Sequence, residues 1–192
     1  MQEYKIVVLG PMGAGKSTLV QTLAQGKAVM TEVRNSDLGA SKELTTVAMD
    51  YGDIDLPDGH RLRLYGSPGQ ERFAFLWPIL LQGATGAIVL ADAATGNPEA
   101  LLGAHLQALL KHDPSLPVVI GLTRCDRADA MQLKGCQAWQ DTFSHPWPVV
   151  PVDVRSKEDV IGLMDIVMSQ VECLALVESD EQHGNTAGGQ RR

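Results

Sequence analysis

Gly10-Pro11-Met12-Gly13-Ala14-Gly15-Lys16-Ser17 follows the apolar run Ile6-Val7-Val8-Leu9 directly. The spacing is that of a G-x-x-x-x-G-K-S phosphate loop, and the context matches the mechanism: Tyr4 to Leu9 reads as a buried strand, and Ser17 to about Gln25 as a helix ending near Gly26. In that order the glycines let consecutive backbone N–H groups turn inward around a polyphosphate. Lys16 adds positive charge at the β/γ-phosphates, Ser17 offers a hydroxyl to Mg²⁺, and the helix N-terminus adds its partial positive charge. Gly13, Ala14, Gly15, Lys16, Ser17 and Thr18 are therefore the expected phosphate-binding residues.

Outward from this loop, strands and helices alternate. Met30 to Glu43 is polar and unpatterned, which predicts a long exposed loop of the functional kind. Thr45 to Leu56 and Arg61 to Tyr65 read as two strands joined by the turn Pro57-Asp58-Gly59. Gly86 to Asp92, Val118 to Leu122 and Val149 to Val152 read as buried strands, with helices over Pro98 to Lys111, Ala128 to Thr142 and Lys157 to Val177. Continuous apolar strands separated by helices predict an α/β fold of the P-loop NTPase type. Its sheet is six-stranded and mostly parallel, with helices on both faces and one antiparallel edge from the hairpin. Residues 1–177 form one domain in this reading, and the polar segment 178–192 is expected to be a disordered tail.

Composition narrows the function classes. Hydrophobic residues at 44% and charged residues at 20% suggest neither disorder nor a membrane protein, and no run reaches the roughly 18 apolar residues of a spanning helix. A net charge of −7 argues against nucleic acid or anionic lipid as partner. Cys125, Cys136 and Cys173 form no C-x-x-C pair, which fits a reducing compartment and gives no metal site. The N-terminal residues lack a signal-peptide pattern, Gln2 does not suit myristoylation, and Gly189-Gln190-Arg191-Arg192 carries no cysteine to prenylate. A cytoplasmic protein without a lipid anchor is expected.

Further motifs give a specific resemblance. Gly69-Gln70-Glu71-Arg72-Phe73 resembles the second switch of Ras-type small GTPases, especially the Rab branch, and Thr46-Val47-Ala48-Met49-Asp50-Tyr51 resembles their Thr-containing first switch. With the phosphate loop and Thr123-Arg124-Cys125-Asp126, the motifs span residues 10 to 126 in the family's order. The resemblance implies GTP and GDP as ligands and Mg²⁺ as cofactor. Gln70 would orient the attacking water, the Gly69 N–H would bind a γ-phosphate oxygen, and Thr46 would close onto Mg²⁺ and the γ-phosphate, with Thr45 as the alternative. Asp126 would accept from guanine N1–H and the 2-amino group, where adenine has no paired donor edge. Arg124 and Thr123 stand in place of the family's lysine and asparagine, and Val154 in Asp153-Val154-Arg155 would offer its N–H to guanine O6.

Two departures from the family pattern bear on mechanism. The second switch normally begins with an Asp that holds a Mg²⁺-bound water, and here that position is Gly66. A similar loss, with Pro-Gly-Gln kept, marks bacterial relatives resembling MglA-type and conservon-associated GTPases, which often work with roadblock-type partner domains. A hairpin turn centred between Asp58 and Gly59 sets Asp50 opposite Ser67. Asp50 then serves the metal through water, or is a solvated acid or an acceptor for loop N–H groups; both readings stay open. Asp92 is a further candidate. Met12, the second departure, stands where an activating protein's arginine must pass, which predicts slow hydrolysis. Phe73, Phe75 and Trp77 either form an exposed partner patch or pack in part beneath the switch, a reading that suits Phe75. The sequence thus predicts a small regulatory GTPase with a protein effector and an activating protein. The alternatives are a nucleotide-loaded binding module with little hydrolysis and a P-loop ATPase or kinase.

Overall fold

A computed structural model describes residues 1–24, 29, 32–34, 44–46, 49–95, 98–140, 145 and 147–187. Six strands form one sheet in the order β4-β5-β1-β6-β7-β8, where β1 is Glu3–Leu9, β4 is Asp50–Asp55, β5 is Arg61–Gly66, β6 is Gly86–Asp92, β7 is Val118–Thr123 and β8 is Val149–Pro151. Only β4 runs antiparallel to its neighbour; the other pairings are parallel. The expected fold class is the observed one. Helices α1 (Lys16–Ala24), α2 (Trp77–Leu81), α3 (Pro98–His112), α4 (Ala130–Gln140) and α5 (Lys157–Ala187) accompany the sheet.

The sheet is buried on both faces because its central strands have no polar face to offer water. Val7, Leu9, Val89 and Ile120 point into one apolar layer with Leu81, Leu102 and Leu109, whereas Ile6, Val8, Ile88 and Val119 point into the other with Leu19, Val160, Leu163 and Val167. All of these strand and helix residues are essentially inaccessible, so the strand ends above them stand on a rigid base.

Three sequence expectations are corrected. The predicted strand Thr45 to Leu56 is two strands: Leu44–Thr46 forms β3 and pairs with β2 (Glu32–Arg34) in a separate two-stranded sheet, and β4 begins only at Asp50. The same finding places a strand inside the segment expected to be an unpatterned loop. The hairpin register is also one residue away from expectation, with Asp50 opposite Gly66 and not Ser67. Its cause is the turn: the Leu56 N–H donates to the His60 carbonyl and the Gly59 N–H to Leu56, leaving a three-residue loop closed by Gly59 at φ +82°.

Helix α5 runs through Ala187 rather than ending at Val177. Its Lys157–Val177 stretch is long and apolar enough by composition to cross a membrane, contrary to the sequence expectation. Val160, Leu163, Met164 and Val167 pack in the sheet's core, which accounts for part of that apolar character, while Ile161, Leu174, Leu176 and Val177 are exposed.

Candidate functional site

The phosphate loop leaves the buried end of β1 and enters α1. Gly13 and Gly15 take φ values of +84° and +102°, which L-residues with a side chain rarely adopt, and a Cβ on Gly15 would lie 2.9 Å from a Val154 methyl. Lys16 is 6% exposed, and its ammonium donates to the Gly10 carbonyl at 2.8 Å and the Pro11 carbonyl at 2.7 Å. The loop's own carbonyls thus fix the cation over the concave side. Main-chain amides at a helix start, with one anchored ammonium, make a cradle suited to a polyphosphate.

Ser17, next in the chain, donates from Oγ to Asp50 Oδ2 at 2.7 Å. Asp50 is fully buried, so the reading of it as a solvated acid is corrected, and the Ser17 hydroxyl is one donor to it. Gly52, two residues on and on the same face of β4, explains the approach. A Cβ there would lie 3.0 Å from Ala24 Cβ and 3.2 Å from a Val20 methyl, so the glycine lets α1 lie close on β4 and bring Ser17 to Asp50.

The second-switch segment reaches the same cradle. A Cβ at Gly69 would fall 2.6 Å from Met12 Cα and 2.7 Å from Lys16 Nζ, a contact no other residue tolerates. Gln70, whose Nε2 is 3.9 Å from Met12 Sδ, sits beside the phosphate loop. Phe75 is 66% exposed and Trp77 4% exposed, so the expectation that Phe75 packs beneath the switch is corrected. Trp77 takes the buried place, stacked on His105 with ring centroids 4.2 Å apart. Thr46 lies on β3 opposite Glu32; its side chain, like all of Met30 to Ala48, falls outside the described side chains.

On the other side of the loop a cavity of about 550 Å³ is lined by Ala14, Gly15 and Thr18 below and by Thr123 to Arg127 and Pro151 to Arg155 around it. Thr123, though shorter than asparagine, ties the loops together: its Oγ1 is 3.2 Å from both the Ala14 and Ala91 carbonyls. Arg124 sits at φ +57°, a conformation costing on the order of 1 kcal/mol for such a residue. Its guanidinium holds that strain in place by pairing with the Asp92 carboxylate and donating to the Gly13 carbonyl at 2.8 Å. The arginine is therefore an anchor between the strand end and the phosphate loop. Asp126 is exposed at the cavity rim, and burial first, then neighbouring Cys136, pushes the Cys125 thiol upward, so a neutral thiol lines the wall.

Two supports of this cavity were not read from the sequence. Thr22 on α1 donates to the Val154 carbonyl at 2.7 Å, and Asp159 Oδ2 accepts from the Asp153 N–H at 2.9 Å while its own N–H bonds Ser156 Oγ at 3.2 Å. The second is a capping pair at the start of α5, and Ser156-x-x-Asp159 is its legible signal. The Asp153 carboxyl is held at about 2 by hydrogen bonds from the Arg155 side chain and then its backbone. Among the described residues no cluster of three or more His, Cys, Asp or Glu side chains has the arrangement of a metal centre.

The strand order, the cradle after β1 and the neighbouring cavity define the fold of P-loop GTPases. A family described as "Conserved hypothetical ATP binding protein" matches residues 27–145, and the chain belongs to it. That match begins after the phosphate loop. The chain is similar to the uncharacterized protein MJ1339 of Methanocaldococcus jannaschii, 34% identical over 94 residues that cover 49% of this chain and 54% of that protein. It is also similar to the Ras-related protein RHN1 of Nicotiana plumbaginifolia, 28% identical over 70% of this chain and 64% of the relative, and to the Ras-related protein Rab-22A of Mus musculus, 28% identical over 69% and 65%. The chain thus spans less than two thirds of the length of these relatives. The elongation factor SelB of Methanococcus maripaludis, solved with the GTP analogue GPPNHP, shares the fold with a TM-score of 0.67 at 17% identity, over 90% of this chain and 34% of SelB.

Proposed function

We propose that the protein is a small nucleotide-dependent switch that binds GTP and GDP with Mg²⁺, hydrolyses GTP slowly and changes its hold on a protein effector as the terminal phosphate comes and goes. The observation that carries this reading is the approach of Gly69 to the Lys16 ammonium. A terminal phosphate brought to that cation meets the Gly69 backbone, so the loop bearing Gln70 must either bond the phosphate or move away. Gln70 then orients the attacking water, which is positioning and not covalent chemistry. Thr46 closes from the first switch.

Ser17 and Asp50 fit a divalent ion by the chemistry of their donors: a hydroxyl and a buried carboxyl group 2.7 Å apart, all oxygen, at the entrance to the cradle. With Thr46, Ser17 would touch Mg²⁺ and Asp50 would support it from behind, and the ion's part is to neutralise charge on the phosphates. On the base side, Asp126 would accept from guanine, Val154 would donate its N–H to guanine O6, and Thr123 and Arg124 would fix the loop. Effector and activating protein, a roadblock-type partner domain, membership of the MglA-like branch and a cytoplasmic location belong to the same proposal. Slow turnover follows from Met12, whose thioether stands against the Gln70 amide.

The Met12 contact also favours a second reading, a nucleotide-loaded binding module with little hydrolysis. The family's description supports a third, an ATP-binding protein, against which stands the carboxyl of Asp126 at the rim. Affinities for GDP, GTP, ADP and ATP with and without Mg²⁺, followed by turnover of the parent and Gln70→Leu, separate the three. The switch reading expects guanine preference and hydrolysis lost in the variant. Equal retention of ATP and GTP, or turnover near 1 per second for the isolated protein, contradicts it.

A further inference from the structure

In this fold the strand leading into the second-switch loop would be expected to bring its own carboxylate to the metal, and in this chain that strand ends in Gly66. The register places Asp50 directly across the hairpin from Gly66, and residues paired across two strands project to the same face. The two positions are therefore alternatives for one volume. A Cβ built on Gly66 would lie 3.1 Å from Asp50 Cβ and 3.3 Å from Asp50 Oδ2. The carboxyl group of Asp50 already fills the place that a side chain at position 66 would enter, and from there it accepts from Ser17 Oγ.

We propose, on the reading that the cradle binds a Mg²⁺–nucleotide, that Asp50 supplies the metal-supporting carboxylate from the neighbouring strand, and that Gly66 is glycine because this carboxylate occupies its space. The exchange has a mechanical consequence. The carboxylate rides on β4, which follows the first switch, so the divalent ion is coupled to the segment leading from Thr46. Gly66 to Gln70, carried by β5, is released from metal duty and held to the cradle through Gly69 and the Gln70–Met12 contact. Asp50 acts as a positioning residue through Ser17, and Ser17 is the side chain that would touch the ion.

The test is a swap across the hairpin. GDP-loaded parent, Asp50→Asn, Asp50→Ala, Gly66→Asp and the double variant Asp50→Ala/Gly66→Asp are titrated with Mn²⁺ followed by spin resonance, and EDTA-triggered release of a fluorescent GDP is timed for each. Removing a supporting carboxylate should weaken metal affinity by ~10-fold or more. Both Asp50 variants should show that loss, the double variant should regain most of it, and Gly66→Asp alone should melt earlier than the parent because two carboxyl groups then compete for one space. Asp50→Asn keeps the side chain's size, so its melting temperature separates a metal effect from misfolding. The inference is overturned if Asp50→Asn holds Mn²⁺ within twofold of the parent, or if a folded double variant recovers nothing. Should the parent itself fail to take up GDP, the nucleotide reading fails; should it bind GDP with a metal dependence that Asp50 does not alter, this inference alone falls.

Discussion

The two flanks of the phosphate cradle are built differently. On the base side, every loop is cross-tied: Arg124 to Asp92 and Gly13, Thr123 to the carbonyls of Ala14 and Ala91, Thr22 to Val154, and Asp159 to Asp153. On the switch side, the Ser67 N–H bonds the Val8 carbonyl of β1, and beyond it the segment meets the cradle at the backbone of Gly69 and at the Gln70 amide beside the Met12 thioether. A fixed wall suits recognition, since its hydrogen bonds are already formed when a ligand arrives. A wall that meets the cradle where a terminal phosphate would lie suits response, because that phosphate must either bond it or displace it. On the proposed switch reading, one flank would read the nucleotide and the other would report its state.

That contrast can be broken by experiment. The largest effect belongs to the element both flanks share: Lys16→Ala should abolish measurable nucleotide binding in calorimetry while leaving the circular dichroism spectrum unchanged, since it removes the cradle's anchored cation and leaves the main chain in place. Gln70→Leu should lower GTP turnover by about 10²-fold with nucleotide affinity unchanged, because it removes positioning on the switch side only. Arg124→Ala should act in the opposite sense, weakening GDP binding. It should also cost about 1 kcal/mol of stability in chemical denaturation, a modest figure because the guanidinium is 39% exposed. Thr22→Val should loosen the Val154 loop by about 1 kcal/mol with turnover of bound GTP unaffected.

The smallest effect is set by pH. The Asp153 carboxyl is depressed from 3.8 to about 2 in the folded protein, so its tie to Arg155 is complete above pH 3.8 and is lost as pH falls toward 2. Stability measured from pH 7 down to pH 4 should therefore show no pH-dependent change from this pair, whose contribution is complete throughout that range, and Arg155→Ala should remove the side-chain share of the depression seen by NMR titration of Asp153 while the backbone N–H keeps the rest.

Much of this is legible in the sequence alone. The phosphate loop was readable because glycines, lysine and serine must occur at fixed offsets between a strand and a helix, and the central strands because burial on both faces leaves continuous apolar runs. The hairpin register differs by one residue because Pro57-Asp58-Gly59 supports both a two-residue and a three-residue turn with Gly59 left-handed in each; the Leu56 N–H on the His60 carbonyl, with Asp58 at negative φ, selects the three-residue loop. That single residue separates an Asp50 opposite Ser67 from one opposite Gly66, and with it the face on which its carboxyl group lies. Phe75 and Trp77 were exchanged for a related reason. Both are apolar and two residues apart in a short irregular stretch, where neither helical nor strand periodicity says which one meets His105.

The claim beneath all of this is that main-chain amides and the Lys16 ammonium grip the phosphates of a guanine nucleotide. Isothermal titration of GTP and ATP with Mg²⁺ into the parent and into Lys16→Ala tests it most directly. The account predicts uptake of GTP by the parent, weaker uptake of ATP, and neither by the variant. Well-folded parent that takes up no guanine nucleotide, or a variant that binds as tightly as the parent, would contradict it.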